Sequence, residues 1–331
     1  MRGAVPMVEI RRGDLLESLH CGHAAIVGPD GETIEAWGDP QTVIYPRSSA
    51  KMLQALPLVE SGAADDLSSE RLALACASHQ GERGHVDRVG EWLGDIGLDE
   101  DDLLCGPEAS RDEALRHRMI RKGETAGRIF NNCSGKHTGF LRLAQQLGGG
   151  ADYVALDHPV QKAVKSAFEE VTGEPSPGYG IDGCSAPNFA TTVAGLARAM
   201  QKFAVAGQTD TRGRAMSRLR DAMRAHPWLV AGTDRACTRL MQDSEGRAIV
   251  KTGAEGVFVA ILPETGRGIA LKIADGATRA SEIAMTALLV GEGVLDPRSH
   301  AAIHYLRKPI ENRDGLVVGV ERPDPAFATS A

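Results

Sequence analysis

No stretch of this 331-residue sequence holds the ~18 uninterrupted apolar residues needed to cross a bilayer; even the run from Ile283 to Val290 stops at Gly291 and Glu292. A membrane-spanning helix is excluded. The first ten residues carry Arg2 and Glu9 and lack the apolar core of an export signal, so a cytoplasmic location is expected. There is no Cys-x-x-Cys. The six cysteines, Cys21, Cys76, Cys105, Cys133, Cys184 and Cys237, stand far apart, which excludes a dense disulfide scaffold and makes reduced thiols the default. Positive charge is not in excess either: 37 Lys and Arg face 44 Asp and Glu, for a net charge of −7. With no basic stripe to neutralise phosphates, nucleic acid is not an expected partner. Internal repeats and low-complexity tracts are absent.

What is present is ordinary globular composition, 42% hydrophobic and 24% charged. A chain of this length removes roughly 75% of its unfolded surface from water, so neither disulfides nor metals are needed merely to hold it folded. Between Val8 and Trp37 short apolar stretches flank the turn Pro29-Asp30-Gly31, which predicts two or three antiparallel strands. From Lys51 to about Met200 the apolar spacing is helical, for example over 137–147 and 160–171. Three short apolar strands follow at 248–251, 257–262 and 269–273, then a helix over 277–290. Strands at both ends with helices between them predict an α+β fold, an antiparallel sheet built from the N- and C-terminal strands and flanked by helices. The Pro-containing tail after Arg322 is expected to be loosely ordered.

Four constellations carry chemistry. In Arg47-Ser48-Ser49-Ala50-Lys51, Ser48 and Lys51 are three apart after Pro46, one helical face. A lysine amine can take a serine proton only if burial or a nearby cation lowers its pKa, and a helix N-terminus there would add N–H groups for an oxyanion. Alone the motif is weak, since roughly one Ser-x-x-Lys is expected by chance in a chain this long. The plain alternative is a solvated helix start. Lys251-Thr252-Gly253 directly follows a predicted strand, and matches the Lys-Thr-Gly element that accompanies Ser-x-x-Lys in penicillin-recognising enzymes. Its plain alternative is a strand-end lysine and a turn. Ala77-Ser78-His79-Gln80-Gly81-Glu82 stands where those enzymes carry Ser-Asp-Asn and departs from it, leaving Ser78 as a proton relay or as a capping residue. Lastly, the segments 131–137 and 180–187 place Cys133 and Cys184 just before helical stretches. Two cysteines are a weak metal signal: two unlinked thiols are the plain reading, with zinc, its shell completed by His137, Lys136 or Asp182, and a disulfide as the alternatives.

Taken in order, Arg-Ser-Ser-Ala-Lys, Ala-Ser-His-Gln-Gly-Glu, Asn-Asn-Cys-Ser-Gly-Lys-His, Gly-Ile-Asp-Gly-Cys and Lys-Thr-Gly resemble the Rhizobium etli-type L-asparaginases, the asparaginase II-like family, from about Glu9 to Glu292. The resemblance implies a single domain over 1–331 with a flexible tail at 323–331, a serine β-lactamase-like fold and a homodimer. It implies two Ser-Lys pairs, Ser48 with Lys51 and Ser78 with Lys251, one zinc held by Cys133, Lys136 and Cys184, and no organic cofactor. It also points to Arg47, His137 and Asp182 as substrate-binding residues; by charge, Arg47 suits an α-carboxylate and Asp182 an α-ammonium. Lysine ligates only as the neutral amine, so zinc would displace its proton.

The expected reaction is hydrolysis of L-asparagine to L-aspartate and ammonia, with Ser48 attacking, Lys51 as base and an acyl-enzyme between the steps. A glutaminase differs only by a methylene in its substrate, and a β-lactamase is disfavoured by Ser78-His79-Gln80 and by the absent export signal. A non-catalytic amino-acid binder of the same fold would have lost a serine or a lysine, and all four are present.

Overall fold

The computed structural model describes residues 1–328. Its strands are β1 (Val5–Arg12), β2 (Leu15–Val27), β3 (Thr33–Trp37), β4 (Val43–Ile44), β5 (Tyr179–Ile181), β6 (Pro187–Phe189), β7 (Thr191–Thr192), β8 (Ile249–Thr252), β9 (Val257–Leu262), β10 (Arg267–Ile273), β11 (Lys308–Glu311) and β12 (Val317–Pro323). The helices are α1 (Lys51–Gln54), α2 (Leu56–Glu60), α3 (Ser69–Ala75), α4 (Arg83–Asp95), α5 (Glu113–Lys122), α6 (Ser134–Gln146), α7 (Pro159–Thr172), α8 (Val193–Val205), α9 (Thr211–Ala225), α10 (Pro227–Ala231), α11 (Ala236–Asp243), α12 (Thr278–Gly291), α13 (His300–Leu306) and α14 (Pro325–Ala328). The chain divides into two compact units, residues 1–49, 191–205 and 239–331, and residues 50–190 and 206–238.

The first unit is the expected antiparallel sheet. Strand order is β11-β12-β1-β2-β10-β9-β8, with β3 also pairing to β2, so N- and C-terminal strands interleave and β8 ends the sheet. All six residues of β9 are buried, which requires cover on both faces and explains its unbroken apolar run. Helices α8 and α12 pack on the sheet. Helix α8 approaches so closely that a Cβ at Gly268 would stand 2.3 Å from the Ala197 carbonyl oxygen. The Pro29-Asp30-Gly31 turn joins β2 to β3 as expected, with Gly31 at φ +86°. The hairpin β11–β12, which the apolar pattern did not predict, extends the sheet beyond β1.

The loose tail expected from 323 onward meets an anchor. Residues 325–328 form α14, and Phe327 is buried edge-on against Trp37 at 5.3 Å between ring centroids. Its last three residues lie outside the described ones.

The second unit is the helical middle, α1–α7, α9 and α10, with the small hairpin β5–β6. Helix α6 lies against α3 through two glycines one turn apart. A Cβ at Gly135 would stand 2.6 Å from the Leu74 carbonyl oxygen, and one at Gly139 would touch Leu58 and Ala75. This close approach sets the start of α6, with Cys133 before it, beside the end of α3 and the Ser78 loop that follows.

Candidate active site

In the sheet unit, Lys251 lies on the last strand, β8, fully buried, its Nζ donating to the Thr252 carbonyl at 3.0 Å. Gly253 closes that strand against the segment carrying Arg47 and Ser48. A Cβ at Gly253 would stand 2.5 Å from the Pro46 carbonyl oxygen and 3.3 Å from the Ser49 nitrogen, so only glycine allows this approach. The Lys-Thr-Gly element and residues 46–49 are thereby brought together.

The helix expected after Pro46 starts differently. Arg47 has φ +53°, a conformation that α-helix starts do not use, and residues 47–50 form a 3-10 turn before the four-residue α1. Ser49 closes this turn, its N–H and its hydroxyl both donating to the Pro46 carbonyl, at 3.2 and 2.6 Å. A non-glycine residue held left-handed costs on the order of 1–3 kcal/mol, and such strain concentrates at functional segments. The short α1 has little dipole, so any N–H contribution to an oxyanion comes from single groups of the turn and not from a helix N-terminus. Arg47 faces Lys272, whose amine burial, opposed by Glu255 and Asp275, pushes below its usual range with Arg47 adding to the fall.

In the helical unit, Lys51 is almost wholly buried and its amine donates to the Ala77 carbonyl, the residue before Ser78. The Ser78 N–H donates to Val230 at 2.8 Å and that of His79 to Asn132 at 3.2 Å, fixing the 77–79 loop between α10 and the Cys133 segment. His79 strengthens the same tie. Its Nδ1 accepts from the Gly81 N–H at 3.1 Å, so the neutral ring carries its proton on Nε2 and donates it to Ser134 Oγ at 3.0 Å; that hydroxyl in turn donates to Ile129 at 2.9 Å. Burial, then the charges of His85, Lys51 and Arg111, holds the His79 pKa well down.

Cys133, Lys136 and Cys184 converge in this unit. Lys136 Nζ lies 2.9 Å from Cys184 Sγ, and Cys133 hydrogen-bonds to Cys184 and, at 2.9 Å, to Asn132 Oδ1. The bond from Cys133 and the charge of Lys136 outweigh burial and hold Cys184 well below the usual thiol range, whereas the same bond and burial push Cys133 up. Burial opposes a charge on Lys136, but Cys184 and Cys133 raise its pKa nonetheless. Within the trio, negative charge is therefore favoured on Cys184 over Cys133, and positive charge on Lys136. Ser185, next to Cys184, is left-handed at φ +69°.

His137 and Asp182 flank the thiols. Asp182 acts on Lys136 and accepts from the Gly183 N–H at 2.7 Å and Asn188 Nδ2 at 3.2 Å. The Tyr153 hydroxyl accepts from the Leu104 N–H at 2.7 Å and lies 2.9 Å from His137 Nδ1. Since a buried hydroxyl proton needs an acceptor, Tyr153 donates to Nδ1 and His137 carries its own proton on Nε2. That Nε2 is buried beside Cys184. Burial and Lys136 push the His137 pKa down to about 4.

Tyr153, Asn132 and Cys105 are members the sequence reading did not single out. The Cys105 thiol, pushed up to about 12 by burial and by Cys184, stays protonated beside the pair. Nothing in sequence spacing marks them.

Among the described residues no group of three or more His, Cys, Asp or Glu side chains has the spacing of a metal site. The trio Cys133, Lys136 and Cys184 lies outside that definition because one donor is a lysine. As a donor set, two sulfurs and a nitrogen, with Cys184 hydrogen-bonded to both of the others, fit a borderline-soft cation such as zinc, provided Cys133 and Lys136 give up their protons.

Each unit thus carries its own part of the predicted residues, Ser48 and Lys251 in the sheet unit and Lys51, Ser78 and the thiols in the helical unit. Residues 8–323 match the L-asparaginase II family, nearly the whole chain. The chain belongs to that family, which makes it a hydrolase of amides acting on a small-molecule substrate. No curated protein matches it. Among solved structures it is similar to a β-lactamase described as putative from Bacteroides dorei DSM 17855 at 13% identity, over 77% of this chain and 87% of that one, with a TM-score of 0.42. A β-lactamase from Mycobacterium bovis shares 14% identity over 83% and 95% at 0.43, and a β-lactamase/D-alanine carboxypeptidase from Pseudomonas syringae 12% over 82% and 93% at 0.44. Among the described residues no helix is long and apolar enough to cross a membrane.

Proposed function

We propose that this protein hydrolyses L-asparagine to L-aspartate and ammonia by a two-step acyl transfer, as an asparaginase of the Rhizobium etli type. The observation that carries the reading is the setting of Lys51: its amine is buried on the Ala77 carbonyl, three residues after Ser48 and one residue from Ser78. Family membership supplies the amide substrate.

Ser48 Oγ attacks the side-chain carboxamide carbon while Lys51 accepts its proton. The C–N bond then breaks as Ser78 gives its hydroxyl proton to the leaving nitrogen and takes back the one held on Lys51, so that ammonia departs and both groups are restored. Water cleaves the remaining ester, restoring Ser48 and giving the carboxylate of L-aspartate. Lys251 stabilises the anionic transition state by donating to it. Arg47 takes the α-carboxylate, Asp182 the α-ammonium, and the His137 Nε2–H donates to a substrate oxygen.

Zinc, one per chain, would be held by Cys133, Lys136 and Cys184, and when bound it supplies a fixed positive charge that orders the two thiol loops. Those loops carry His137 and Asp182, so its role is in placing the substrate. No organic cofactor is called for. The two units act as one domain of serine β-lactamase type, a reading supported by the family match across both and by Lys251 on the terminal strand of the sheet. The protein works as a cytoplasmic homodimer with its thiols reduced.

Ammonia release from zinc-loaded protein tests this, with L-asparagine and L-glutamine as parallel substrates. Release from asparagine should exceed that from glutamine, although one methylene discriminates by only about 1–3 kcal/mol. Ser48→Ala should lower the rate by roughly 10³-fold or more. Near-normal turnover in Ser48→Ala with none in Ser78→Ala would make Ser78 the nucleophile. Silence with both amides would leave a binder of amino acids.

A further inference from the structure

A cleft of 460 Å³ lies in the helical unit between the start of α7 and the hairpin β5–β6. None of the side chains assigned above lines it. Its floor is Phe189, 3% exposed, and its walls are Tyr179 and Leu156, 47% and 39% exposed. Tyr179 and Phe189 are paired across the hairpin with ring centroids 6.3 Å apart, so the apolar surface is held by backbone bonds. The hairpin is itself tied down, the Ser176 hydroxyl bridging the Gly178 and Ala190 carbonyls at 2.7 and 2.8 Å.

Charge enters from one side only. Lys162 and Lys165 stand one turn apart on α7, and Asp157 precedes the helix. Lys165 reaches Glu169 at only 3.8 Å, and that carboxylate already accepts the Ser176 N–H at 2.9 Å. Two lysines set against one aspartate leave a single positive charge on the lining. That charge suits one carboxylate; a nucleotide or another polyanion would bring more negative charge than the cleft offsets. The volume falls in the range of small-molecule sites, and two aromatic rings favour a flat apolar body.

We propose that this cleft is a second binding site, for a small monocarboxylic acid with a planar apolar body, distinct from the amide site. The carboxylate lies between Lys162 and Lys165 and the ring packs on Tyr179 and Phe189. Neither lysine belongs to the proposed hydrolytic machinery, so the inference stands apart from the asparaginase reading.

Titration calorimetry on the intact chain at low ionic strength tests it, with phenylacetate as the probe and phenethylamine as its cationic counterpart. Phenylacetate should bind at least roughly tenfold tighter than phenethylamine, and the double variant Lys162→Ala/Lys165→Ala should weaken it by a similar factor. Tyr179→Ala should weaken both probes. Both lysines are exposed, and unchanged ammonia release together with an unchanged melting temperature in the double variant would show the fold intact. Equal affinity for acid and amine, undiminished binding in the double variant, no phenylacetate binding by the native chain, or displacement of phenylacetate by L-aspartate would each overturn the proposal. A chain that binds phenylacetate in this manner but releases no ammonia would sink the asparaginase reading and leave this one standing.

Discussion

The two units hold their candidate site residues by different means. In the sheet unit, Lys251 sits on a strand inside an antiparallel ladder, and the residues around Ser48 are placed by the close approach of Gly253 to Pro46. In the helical unit, Ser78 sits in a loop held by backbone bonds to Val230 and Asn132, while Cys133, His137 and Cys184 sit at a helix start and in a turn, placed by side-chain bonds with Asn132, Tyr153 and Lys136. Most of the strongly perturbed titrations lie in this second set, with Cys184 held down and Cys133, Lys136 and Cys105 raised. A backbone ladder gives position at little electrostatic cost, whereas a buried polar network gives both position and a tuned charge and is more easily broken.

The sharpest way to break the comparison is to disturb the backbone fit in the sheet unit. Gly253→Ala puts a Cβ 2.5 Å from the Pro46 carbonyl oxygen, so residues 46–49 must move by several tenths of an ångström or more. Misplacing a nucleophile by about 1 Å costs on the order of 10²-fold in rate, and kcat for ammonia release should fall by about that factor. The melting temperature should change little, because the sheet's core strands are untouched. A variant with native kcat would mean that the approach of Gly253 to Ser48's segment does not position the serine.

In the helical unit the matching change is Gly135→Ala, which sets a Cβ 2.6 Å from the Leu74 carbonyl oxygen at the contact of α6 with α3. Here packing and site are the same structure, so the cost appears in stability, about 1–3 kcal/mol by denaturant unfolding. Zinc affinity should fall with it, because Cys133 and Lys136 ride on the start of α6. On the proposed reading, in which zinc orders the substrate loops, stripping the zinc-loaded protein with a chelator should raise KM more than it lowers kcat. A collapse of kcat at saturating asparagine would show instead that the metal takes part in the chemistry.

Much of the sheet half was legible in sequence. The Pro-Asp-Gly turn, the apolar runs of β8–β10 and the Lys-Thr-Gly ending of β8 each follow from local patterning, and they predicted the sheet's mixed terminal origin. What escaped was non-local. The hairpin β11–β12 has Pro309 in a half-exposed strand and joins the sheet through β1, some 300 residues earlier in the chain. In β2, residues 15–19 are all exposed, so the strand extends nine residues ahead of its apolar segment without an inward-facing pattern to reveal it. Arg47's left-handed backbone was illegible too, because the helix expected at 47–51 assumes ordinary dihedrals. Of the thiol cluster, the cysteines were visible as turn-rich segments, but their 51-position separation says nothing of contact, and the roles of Tyr153 and Cys105 exist only once α6, α7 and the 103–105 segment are packed.

Mild acid should separate the units with the smallest effect. His79 and His85 are stacked in the helical unit, ring centroids 4.9 Å apart, with Trp228 on the far side of His85. Burial holds both below the ordinary value of 6.5. His79 also feels His85, Lys51 and Arg111, while the Trp228 carbonyl and Glu82 partly offset the fall for His85. A histidine whose folded pKa is lowered stabilises the fold fully above the unfolded value and loses that contribution as pH falls toward the folded one. The helical unit should therefore begin to weaken below about pH 6.5. In the sheet unit, burial opposes but the Ala277 N–H and His20 together hold the Asp275 carboxyl below 3.8, so its contribution persists until the pH falls under that value. Hydrogen exchange at pH 7 and pH 5, corrected for the intrinsic rate, should show amides of residues 78–86 losing protection while those of β10 keep theirs. Equal loss in both segments would mean that the buried histidines do not set the acid response, and His85→Gln, which cannot take up the proton, should flatten the difference if they do.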